Sequence, residues 1–181
     1  MDDTRLALGP LEQADGRWVV GDAGRAGGTW VEFRPDGLCP YESGSEGETI
    51  TWSRIMIGIS VTIGRGTPSH GGHITVPGML GALPGLRGRG VGHLNMTVRH
   101  PYEDRTVYFD RHPRRYELAE LHLLDVLMRD TVEAGEAHLL GDAAWLAHAV
   151  EQLTPARFWT TSRAFDRAVA RARESASAAT G

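Results

Sequence analysis

Lysine is absent from the chain. All 19 basic residues are arginine, which excludes Schiff-base and lysine-nucleophile chemistry and removes the lysine that a P-loop requires. Cysteine is nearly absent as well: Cys39 stands alone, so neither an intramolecular disulfide nor a cysteine-based structural zinc site is available to the chain. Long hydrophobic runs are missing too. The longest, from Ile55 to Ile63, is interrupted by Gly58 and Ser60 and falls well short of the roughly 20 apolar residues of a membrane helix. There is no basic surplus. With a formal net charge of −4, the chain lacks the electrostatic footprint of a protein that binds phosphate backbones, and nucleic acid is not an expected partner. The opening Met1-Asp2-Asp3 has neither the basic residues nor the apolar run of a secretory signal, which makes the cytoplasm the expected location. The arginine-only, alanine- and glycine-rich composition fits a GC-rich coding genome.

What is present is ordinary for a globular protein: 181 residues, 41% apolar and 23% charged, enough to bury a core. Residues 1–134 read as β-rich and 135–181 as a helical extension packed on them. Arg17 to Val20 and Thr29 to Arg34 are rich in Trp, Val and Phe. Pro35-Asp36-Gly37 then signals a turn before Leu38 to Tyr41, which predicts a hairpin. Ser43 to Glu48 reads as a polar turn. Thr49 to Ile63 is dense in Ile, Val, Thr and Trp, and Gly58 near its middle predicts a bend or bulge. Leu94 to Arg99 and Thr106 to Asp110 read as a last hairpin.

After Pro113 the apolar spacing becomes helical: Leu118, Leu121, Leu124, Leu127 or Met128, and Val132 form one stripe, with Asp125 on the opposite side. Asp142 is placed to cap a second helix bearing Trp145, Leu146, Ala149, Val150 and Leu153. Thr154-Pro155 is a further start signal. A last helix is predicted over about Ser162 to Ser175, with Ser177 to Gly181 fraying.

About seven β segments followed by a long amphipathic helix, together with Ile50-x-Trp52-x-x-Ile55, resemble bacterial pleckstrin-homology-like domains over residues 17–134. The resemblance implies an α+β fold, an antiparallel barrel-like or strongly bent sheet closed by the helix, and a binding or scaffolding role. It carries over no catalytic residue. The departure from that pattern is the stretch 65–92, dense in glycine and containing Pro68, Pro77 and Pro84, which reads as a long loop inserted between strands.

Candidate sites are weighed against packing. His70, His73 and His93 could together hold a zinc ion and support metal-dependent hydrolysis, yet no glutamate base stands between the first two as in a zincin helix. His100, Glu103, Asp110 and His112 could pair a histidine with a carboxylate as general base, although the nearby Arg99, Arg105, Arg111, Arg114 and Arg115 offer plain ion pairs. Arg87 and Arg89 beside Gly88, Gly90 and Gly92 could receive a small anion or a lipid headgroup. Cys39, between Leu38 and Pro40, reads as a buried thiol. The leading expectation is a non-enzymatic interaction or scaffolding module without a cofactor. It would bind another protein, or a second copy of itself, through Met79, Leu80, Leu83, Leu86, Arg87 and Arg89 of the loop and through the neighbouring strands.

Overall fold

A computed structural model of the chain describes residues 6–64, 90–154 and 162–180. The N-terminal part is a meander of short hairpins. β1 (Ala7–Leu8), β2 (Leu11–Ala14), β3 (Arg17–Val20), β4 (Thr29–Arg34) and β5 (Gly37–Glu42) pair antiparallel in sequence order. β6 (Ser45–Glu46) and β7 (Ile50–Thr51) both pair with β5, completing a seven-stranded sheet. The turns explain the register. Asp15 and Gly16, with φ of 51° and 76°, form the two-residue connection between β2 and β3, the geometry that an Asp-Gly pair favours. Pro35 and Asp36 connect Arg34 to its partner Gly37, as the turn signal predicts.

A second antiparallel sheet has the order β10-β9-β8: β8 (Ile55–Ile63), β9 (Val91–Val98) and β10 (Glu103–Asp110). Among the described residues no strand pairing joins it to the first sheet, so the strands form two antiparallel sheets and not a closed barrel. The break lies between β7 and β8, where residues Trp52–Arg54 make a 3-10 turn. The Trp52 indole N–H donates to the Arg34 carbonyl at 2.8 Å and pins that turn to β4. Ile50, Trp52 and Ile55 are all buried.

Three helices complete the α+β fold. α1 (Leu118–Glu133) opens with a capping box between Glu117 and Glu120 and packs on β8. α2 (Ala143–Leu153) is capped by Asp142, whose side chain accepts from the Ala144 and Trp145 amides. α3 (Ser162–Thr180) lies along α2. The expected fraying from Ser177 is corrected here: Ser177 Oγ accepts the Trp145 indole N–H at 3.1 Å, and Ala176 is fully buried. One continuous cluster of buried side chains runs from Leu8 through Trp18, Leu94 and Leu124 to Ala176. Among the described residues no helix is long and apolar enough to cross a membrane.

Candidate interaction surface

The three-stranded sheet has one face on the core and one turned away from it. Directly opposed residues share a face, so Val61, Leu94 and Val107 project inward together. The other face carries Ser60, Asn95 and Thr106, then Thr62, His93 and Tyr108. Asn95 Oδ1 accepts from the Thr106 hydroxyl at 2.9 Å, and Asp104 accepts from the Thr97 hydroxyl at 2.8 Å. His93 is buried beside the Tyr108 ring, and that burial pushes its pKa down, keeping the imidazole neutral.

β8 breaks its own pattern. Ile55, Ile57, Ile59, Val61 and Ile63 alternate strictly in sequence, and a regular strand would bury all five on one side. Register shifts on either side of Ile57 turn it onto the outer face instead, opposite Thr97. Ile57 is 51% exposed, whereas Ile55 and Ile59 are 6% and 0%. Gly58 is the residue that permits this. An added Cβ there would lie 2.9 Å from the Arg129 Cα, so the helix α1 approaches the bulge too closely for any side chain.

Among the described residues, the large apolar side chains that are exposed belong to this sheet and its turn. Met56, Ile57, Val91, Tyr102 and Tyr108 are between 40% and 71% exposed, and all five belong to β8, β9, β10 or the turn between the last two. A groove of about 750 Å³ continues the surface along the edge of β10, between Arg105 to Asp110 on one side and the β5–β6 hairpin from Pro40 to Glu48 on the other.

A buried polar trio lies elsewhere, where the chain leaves β10. His112 Nδ1 is 2.7 Å from the Tyr116 hydroxyl, which also accepts the His112 backbone N–H at 2.9 Å. Nε2 stands 3.1 Å from Glu12 Oε1 without the alignment of a hydrogen bond. Burial raises the Tyr116 pKa. The trio's side chains are nearly closed to solvent, which makes this a packed polar contact holding β2 to the segment before α1.

The expected constellation of His100, Glu103, Asp110 and His112 is not assembled. His100 and Glu103 stand at the β9–β10 turn, and Asp110 and His112 at the far end of β10, roughly 20 Å away at a strand's rise per residue. Asp110 instead takes Arg25 at 2.9 Å and the Thr29 amide at 2.9 Å. Of the three histidines considered for zinc, only His93 falls among the described residues; His70 and His73 lie outside them. So do Met79, Leu80, Leu83, Leu86, Arg87 and Arg89. The end of the predicted loop is corrected: Val91 and Gly92 already belong to β9, and Gly92 leaves its side-chain position to the Phe109 ring. Cys39 is fully buried on β5, and burial raises its thiol pKa.

Sequence reasoning missed Met56, Ile57, Val91, Tyr102 and Tyr108 as surface residues. The signal was Gly58, read as a bulge without following which isoleucine the bulge would turn outward. Comparison with protein-family models, with curated proteins and with solved structures finds no match.

Proposed function

We propose that the protein is an interaction module whose partner is another protein, docking on the outer face of the β8-β9-β10 sheet. The observation that carries this reading is Ile57. Leaving such a side chain outside forgoes about 1.5–3 kcal/mol of burial, although the alternation of β8 would place it inside. Three more exposed apolar side chains, Met56, Val91 and Tyr108, stand on the same sheet and a fourth, Tyr102, on its β9–β10 turn, and exposed apolar surface of this kind marks contact surfaces. Tyrosine and methionine, both present here, are enriched at the centres of protein interfaces.

The test is recovery of the partner from the native cell with tagged chain, followed by Ile57→Glu and Tyr102→Glu. Both side chains are already in water, so the unfolding midpoint should hardly move, and recovery of the partner should fall at least about tenfold. Undiminished recovery by both folded variants would reject this surface.

A further inference from the structure

Arginine is the only permanent cation of this chain, and most of its copies are engaged within the structure. Arg25 meets Asp110 at 2.9 Å, Arg34 meets Glu46 at 2.7 Å, Arg54 and Arg105 share Glu48 and Glu103, and Arg173 of α3 reaches Glu136 at 2.7 Å. α3 carries the exception. Arg163, Arg167 and Arg171 are exposed, and among the described residues none of the three has an ion pair or a hydrogen bond. Arg115, the other described arginine without either, stands apart from them before α1.

A spacing of four puts the three on one face of α3, with about 6 Å of rise between neighbours. The opposite face holds Val169, Ala172 and Ala176, all buried in the core. Like charges four apart repel along a helix, and a cation in the first turn opposes the helix dipole. Arg163 is the second residue of α3, and that turn contains no acidic residue. Both placements work against the helix, and neutral side chains on the same exposed face would be free of either cost. The acids of α3 leave the row unneutralised. Asp166 turns to Arg129 of α1 at 4.0 Å, and Glu174, toward the C-terminal end, makes no ion pair among the described residues.

We infer that this row is a docking site for an acidic helix of another protein, one whose carboxylates recur at every fourth residue. Such a helix repeats at the same rise of about 6 Å, so each guanidinium meets one carboxylate when the two helices lie side by side. Other anionic partners fit less well. A bilayer would need apolar side chains to enter beside the arginines, and those of α3 are committed to the core. Nucleic acid would meet a short row of cations on a chain whose net charge is −4. A second copy laid on the same face would set arginine against arginine. The site is separate from the outer face of the β8-β9-β10 sheet and stands or falls independently of it.

The test follows arginine Nε–Hε and backbone amide NMR signals of the full chain as an alanine-rich peptide with glutamate at every fourth position is added. The signals of Arg163, Arg167 and Arg171 should shift, and those of Arg34 and Arg54 should stay. The same peptide with glutamine for glutamate should not bind. Arg163→Gln, Arg167→Gln and Arg171→Gln together should raise the dissociation constant at least about tenfold. Raising salt from about 50 to about 500 mM should weaken binding likewise, while Arg115→Gln leaves it unchanged. The three side chains are in water, so the triple variant should keep or raise the thermal midpoint. Absence of shifts at the three arginines, undiminished binding by the triple variant, or equal binding of a peptide whose glutamates are bunched at one end overturns the site. Tighter binding of phosphatidylcholine–phosphatidylglycerol vesicles or of duplex DNA through the same arginines overturns it too, as does a peptide-free dimer that the triple variant abolishes.

Discussion

Asp125 shows how one side chain can be set by the strand it meets. Its periodicity places it opposite the apolar stripe of α1, yet its carboxylate is turned to the Val61 amide at the outer edge of β8. Burial raises its pKa, with the Val61 hydrogen bond and Arg129 acting in the opposite direction. A carboxyl group whose folded pKa is raised binds its proton more tightly in the native state, so it contributes less stability as pH rises from the unfolded value of about 3.9. Asp125→Asn keeps an oxygen for Val61 and removes the buried charge. Denaturant unfolding across pH 4 to 8 should show the variant gaining on the wild type as pH rises through the shifted pKa. The Glu12, His112 and Tyr116 contact behaves differently. His112→Ala takes a hydrogen-bond partner from the Tyr116 hydroxyl and a close polar contact from Glu12, and should lower unfolding free energy by about 2 kcal/mol in a urea titration.

At the scale of elements, the β8 bulge is the feature on which most depends. Gly58→Val would push a side chain into Arg129 of α1; a loss of about 1–3 kcal/mol is expected, measurable as a lower thermal midpoint. Most elements were legible where a local rule governs. The hairpin at Pro35-Asp36, the bulge at Gly58 and the Asp142 cap follow from turn and capping chemistry within a few residues. β1 and β2 were harder to read because they are two and four residues long, although Asp15-Gly16 was a usable turn signal. The separation into two sheets was not legible, since it depends on Trp52 reaching the Arg34 carbonyl across 18 residues. The exposed patch was only half legible: alternation assigns Ile57 inward, and only the paired register shifts reverse it.

For the molecule as a whole, the C-terminal helices are part of the core that the sheets share. Val169, Ala172 and Ala176 of α3 are buried in it, Trp145 of α2 is fully buried and tied to Ser177, and the Trp18 indole of β3 donates to the Ala143 carbonyl at 3.1 Å. Ending the chain before Ser162 would bare the side of α2 that α3 covers. The expected result is a lower, broader thermal transition and increased binding of an apolar dye, and an unchanged sharp transition would show that α3 is dispensable. Cys39 offers a way to follow such losses. As the sole thiol, shielded on β5 between β4 and the short edge strands, it is an internal clock: where a maleimide or disulfide reagent captures it faster than the sheet recloses, the capture rate equals the frequency with which that part of the sheet opens, measured without adding a label to any other part of the protein.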